Sequence, residues 1–237
     1  MDSESILSHE DCEKPRTQEE LIAWVQQVHA QFGADEGTKN YARLGKGLSK
    51  QFYEEIMPLS HLACHKYAGK RGIYLQPKLG NQSYDAEIFD RSLTPVRSLR
   101  LELVNAAEGY EEALRMEHLV EHGDVYMTGP VWREGTKAAG GRVQTQSEAV
   151  KHGDYVKKQL ASIEQKANKK LQKDYGPDTL LGIVFNDYLP FDPRKDTDQL
   201  KAFLESKVVE PVLRKFRGFF VIGSTGQIVL EFGDTGI

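Results

Sequence analysis

The chain reads as an α/β protein, a central mixed β-sheet with helices on both faces. Three observations predict this. Short extended runs at 73–76, 83–90 and 98–104 lie between two long helical stretches, 44–67 and 149–175. The run Thr179–Phe185 is continuously apolar, as a strand covered on both faces must be. The chain ends with extended runs at 219–222 and 227–232 around Ser224-Thr225-Gly226, a hairpin signal.

The remaining elements follow in order. Residues 1–16 read as a flexible, solvated tail before a single domain over 17–237. They are acidic and lack the apolar stretch of a secretory leader. Thr17-Gln18-Glu19-Glu20 is a capping box, and Leu21, Trp24, Val25, Val28 and Phe32 follow at helical spacing, with Gly33 as the stop. Helix 44–67 carries Leu48, Phe52, Ile56, Leu59 and Leu62 on one stripe, and Pro58 should kink it or split it. In 98–104, Leu99, Leu101 and Leu103 alternate with Arg100 and Glu102, so the strand has one apolar face. A helix over 108–122 stops at Gly123. The Gly-rich stretch 124–147 reads as one or two strands with a mobile loop near 137–142. Helix 149–175 ends at Gly176-Pro177, and a last helical region covers 197–217.

The 237 residues hold 31 Lys+Arg against 35 Asp+Glu, a net charge of −4, which excludes a general polycation that coats nucleic acid by bulk charge. A local basic face is still possible. Residues 149–175 hold seven lysines against three acids, with Gln159, Lys166, Lys170 and Lys173 along one flank of the Val156–Leu160–Ile163–Ala167 stripe. An ordinary solvated helix face explains such a run equally well. No apolar run approaches the roughly 20 residues of a membrane span. Two cysteines, Cys12 and Cys64, fit a reducing, cytoplasmic setting. A homodimer is one open alternative for the assembly.

The most informative segment runs from Tyr84 to Val104. If the two strands form a hairpin symmetric about Leu93–Thr94, the numbers of paired residues sum to 187. Asp85 then faces Glu102, and Glu87 faces Arg100. Opposed carboxylates repel unless a cation lies between them, and a hard divalent ion suits that place. The plain alternative is an exposed sheet face on which these acids pair with Arg97 or Arg100. Weaker signals are His61, Cys64 and His65 on one helix, and His118 with His122 on another. Both lack an evident third and fourth metal ligand. His152, Trp132 and Tyr126 read as ordinary structural residues.

An Asp on one strand, a turn, and Glu-x-(Lys) on the next resembles the PD-(D/E)XK nucleases, the restriction-endonuclease-like superfamily. The order of elements over about 44–186 is similar to its αβββαβ core, with N- and C-terminal additions. The resemblance implies Mg²⁺- or Mn²⁺-dependent cleavage of DNA phosphodiesters. It places the metal on Asp85, Glu102 and the Leu103 carbonyl. It also implies a supporting Glu from the first helix; Glu55 lies on the inward stripe of helix 44–67, where Glu54 does not. One position departs from the pattern: Val104 stands where the family has Lys. Lys166 or Lys170, from helix 149–175, is the expected substitute cation. If neither serves, the chain is a nuclease-like domain without activity that binds or scaffolds.

Overall fold

The computed structural model describes residues 6–107, 109–188 and 191–235. The protein is α/β, with a seven-stranded mixed sheet flanked by helices. Chain order begins with a helical turn α1 (His9–Cys12), β1 (Arg16–Thr17), α2 (Gln18–Phe32) and α3 (Glu36–Arg43). One interrupted helix follows: α4 (Ser49–Gln51), a π-helical turn (Phe52–Ile56) and α5 (Met57–Lys66). Then come β2 (Ile73–Pro77), β3 (Ala86–Asp90), β4 (Arg97–Asn105) and α6 (Gly109–His122). A separate hairpin of β5 (Val131–Glu134) and β6 (Arg142–Thr145) precedes α7 (His152–Leu171) and β7 (Thr179–Phe185). The chain closes with α8 (Pro193–Lys207), α9 (Val209–Leu213), β8 (Gly218–Gly223) and β9 (Val229–Gly233). No described helix is long and apolar enough to cross a membrane.

The strand order is β1-β2-β3-β4-β7-β8-β9. Pairs β1–β2, β2–β3, β3–β4 and β8–β9 are antiparallel, and β4–β7 and β7–β8 are parallel. The two parallel pairs need crossovers, which α7 and the α8–α9 pair provide. Two apolar layers result. On one face α2 and α5 cover Ile73, Leu75, Ala86, Ile88, Leu99, Leu101 and Leu103. On the other, Val156, Leu160, Ile163 and Ala167 of α7, with α8 and α9, cover Leu181, Ile183, Phe185, Phe219 and Val221. Strand β7 lies under both layers and is buried at all seven positions, which explains its unbroken apolar sequence.

Several boundaries differ from those the sequence predicts. Residues 6–16 are not simply a solvated tail. Cys12 is fully buried, and the buried Arg16 stacks on Trp24 at 3.9 Å while bonding to Asp11 at 2.5 Å. Residues 1–5, and Glu108 at the expected start of α6, lie outside the described residues. The helix expected over 44–67 begins at Ser49, because Gly45 and Gly47 take positive φ and break the chain from α3. Pro58 follows directly on the π-helical turn Phe52–Ile56, so the interruption of the helix lies just before the residue that cannot donate a backbone hydrogen bond. The capping box at Thr17 and Glu20 is present in full.

Helices cover the second face only from β4 outward. Tyr74 and Phe89, whose neighbours in β2 and β3 are buried under α2 and α5, join neither apolar cluster.

Candidate functional site

The β3–β4 hairpin sets the site. Its five pairs, from Asp90↔Arg97 to Ala86↔Leu101, all sum to 187, the symmetric register expected from the sequence. The ladder stops one residue short of Asp85 and Glu102. There the Asp85 N–H donates to the Leu101 carbonyl at 2.8 Å, although Leu101 already pairs with Ala86. Two successive residues thus oppose one, as in a β-bulge, which re-aims the side chain it carries. The Asp85 carboxylate turns to the edge of β4, where Oδ2 accepts from the Leu103 N–H at 2.6 Å.

That bond also locates the Leu103 carbonyl. Arg100 and Ala106 direct their N–H groups to β7 and its lead-in, donating to Asp178 and Val184. Even-numbered residues of β4 therefore turn their backbone toward β7 and odd-numbered ones toward β3. In an extended strand the N–H and C=O of one residue leave on the same edge. The Leu103 carbonyl emerges beside Asp85, and among the described residues no donor reaches it.

Glu102 points to the opposite face, under the C-terminal part of α7. It is 7% exposed and bonds through Oε1 to the Lys170 ammonium, and the Tyr175 hydroxyl donates to the same oxygen at 3.4 Å. Burial works against the Lys170 charge, but the hydrogen bond and charge of Glu102 outweigh it and hold the lysine above its ordinary pKa. Of the two lysines singled out from the sequence, Lys170 reaches this site. Lys166, one turn earlier, has no ion-pair partner among the described residues. Val104 packs against the second apolar cluster, so a lysine there would enter the contact with α7 that now delivers Lys170.

Glu55 approaches from the other face. It lies in the π-helical turn Phe52–Ile56, a wide turn that shifts side chains off the α-helical stripe and recurs at functional sites. With Gln51, Lys78, Leu79, Gly80, Asn81 and Asp85 it lines a polar cleft of about 380 Å³. Glu54 instead pairs with Lys50 at 3.9 Å on the surface. Burial, followed by the charges of Asp85, Glu54 and Glu102, pushes Glu55 up to about 7. Burial and the charge of Glu102 push Asp85 up to about 6, against the Leu103 hydrogen bond and Lys170. Gln51 Oε1 is buried in the cleft wall with no donor. Sequence reading missed Gln51 and Tyr175. Gln51 was findable as the residue one turn before Glu55; Tyr175 had no local signal.

Raised carboxyl pKa values have a stability sign. A group that binds its proton more tightly folded than unfolded penalises folding above its folded pKa, and the penalty fades as pH falls. Lowering pH from about 7.5 to about 5 should therefore relieve it, since Glu55 and Asp85 titrate near 7 and 6. Urea midpoints measured without divalent metal should rise over this range relative to those of the Glu55→Gln/Asp85→Asn double variant. Identical pH profiles for the two proteins would refute the cluster.

The other signals stay apart from this site. Among the described residues no three His, Cys, Asp or Glu side chains gather as a metal cage. His118 is tied to Val143 and Thr145 at 3.3 Å each, and His152 pairs with the buried Asp196 at 2.9 Å. His61 packs beside Gly226 in the β8–β9 turn.

No family model, curated protein or solved structure matches this chain.

Proposed function

We propose that this chain is a metal-dependent phosphodiesterase acting on DNA, of the PD-(D/E)XK nuclease type, working in the cytoplasm. The observation that carries the reading is the meeting of the Asp85 carboxylate and the unclaimed Leu103 carbonyl on one strand edge. The donor set suits a hard cation: carboxylate and carbonyl oxygens, a second carboxyl on Glu55, and an amide oxygen on Gln51 with no donor. Asp85, the Leu103 carbonyl, Glu102 and Glu55 are the residues that would hold Mg²⁺ or Mn²⁺. The bound ion would supply polarisation of a phosphate oxygen and acidification of water.

The chain's own residues do the rest. Asp85 is fixed by the Leu103 N–H, so its second oxygen is presented at a set angle. Glu55, with a pKa of about 7, can hold or release a proton near neutrality, the range in which general acid–base groups work best. Lys170 pairs with Glu102 and places a positive charge beside it, where negative charge would grow on phosphate.

A second reading, an inactive nuclease-like domain that binds or scaffolds, is favoured by Val104 and by the Glu102–Lys170 bond that a ligated Glu102 would have to share. Incubation with supercoiled and single-stranded DNA separates the two. The enzyme should cut with Mn²⁺ or Mg²⁺ and stop with EDTA. Metal-induced thermal stabilisation without any cutting would select the second reading.

A further inference from the structure

No helix covers the second face of the sheet over β1, β2 and β3, where the half-buried side chains Tyr74, Gln76, Glu87 and Phe89 form a pattern. Tyr74 pairs with Phe89, and Phe89 pairs with Ser98, making one row across three strands. Gln76, Glu87 and Arg100 make the next row. Directly paired residues share a face with Cβ atoms about 4.5–5.5 Å apart, so Tyr74 and Phe89 leave the sheet side by side. Arg91 lies over the Tyr74 ring at 4.3 Å, and Arg100 lies over the Tyr84 ring at 5.3 Å. Both arginines are exposed and have no carboxylate partner among the described residues. The one acid of the two rows, Glu87, is bonded to Lys78 at 3.0 Å and to the Tyr84 hydroxyl at 3.1 Å. Glu13, at the far edge, accepts from the Leu79 N–H.

A helix layer would need an apolar face here, and a protein edge would need a free strand. This surface offers planar rings, guanidinium planes, a polar position at Ser98, and a net positive charge, while the Gln76 amide donates to the Glu13 carbonyl at 2.8 Å. Unpaired nucleobases stack on such planes while arginines take the phosphates. The surface is also continuous with the site described above. Arg100 precedes Glu102 on the same face of β4, and Tyr84 adjoins Asp85.

We propose that this open face binds single-stranded DNA, stacking bases on Tyr74, Phe89 and the two arginines and leading the strand toward Asp85. As a route to hydrolysis it rests on the nuclease reading; as a binding surface it does not.

The test is fluorescence anisotropy with a labelled oligo-dT, its duplex with oligo-dA, and oligo-rU, all in EDTA so that hydrolysis plays no part. Wild type should prefer oligo-dT. Arg91→Ala/Arg100→Ala should bind it at least about fivefold more weakly, at the low end of the loss expected from one base stack. The slope of log affinity against log salt should also flatten, by roughly 0.7 per lost phosphate contact. Phe89→Leu, which keeps the apolar body, should weaken binding without changing that slope.

Unchanged binding in the arginine variant, or preference for the duplex, overturns the platform and leaves the metal site untouched. Tighter binding to oligo-rU overturns the assignment to DNA. Arginine-dependent binding in a protein that never cuts supports the platform and overturns the nuclease reading instead.

Discussion

Lys170→Ala should destabilise the protein by about 3–5 kcal/mol, the range for removing one partner of a buried ion pair. The side chains of Lys170 and Glu102 are 16% and 9% exposed, so water cannot replace the ammonium. What remains is a carboxylate under α7 with a single bond, from Tyr175 at 3.4 Å. Lys166→Ala, one turn away and unpaired, should stay within about 0.5 kcal/mol of wild type. Denaturant titrations of both variants check this. Equal losses in the two would mean that Glu102 does not depend on Lys170.

Asp85→Asn should separate stability from metal response. A ligand that binds only the folded state stabilises it by about 2.7 kcal/mol at one hundred times its dissociation constant. For a chain of this size that is a melting shift of roughly 5–10 °C. The variant should lose most of the shift with Mn²⁺, and DNA cleavage with it. Without metal it should be at least as stable as wild type. The change removes a carboxylate whose pKa is raised to about 6 by burial and Glu102, and keeps an oxygen to accept from Leu103. A metal-free variant much less stable than wild type would show Asp85 to be structural.

Local patterns carried much of the architecture. Thr17 and Glu20 set a helix start, the alternation of Leu99, Leu101 and Leu103 set a strand face, and counting about Leu93–Thr94 set the hairpin register. Each is an interaction between residues close in sequence. The bulge at Asp85 was not legible, because the spacing implied a further pair with Glu102 where the ladder ends. Nor could the sequence choose between Lys166 and Lys170. Both flank the apolar stripe of α7, and only the height of that helix over β4, set by contacts 68 residues apart, brings Lys170 to Glu102. The packing of residues 9–17 was hidden for the same reason. An acidic, polar opening segment reads as solvated until Trp24 and Asp11 are placed around Arg16.

On the proposed reading, Asp85 and the Leu103 carbonyl hold a divalent ion. Anomalous diffraction from crystals soaked in Mn²⁺ tests it most directly. A manganese peak should bridge the free Asp85 oxygen and the Leu103 carbonyl, with Glu55 or Glu102 completing the site. An empty strand edge at saturating Mn²⁺, with Glu102 still bonded to Lys170 and the metal elsewhere or absent, would contradict it.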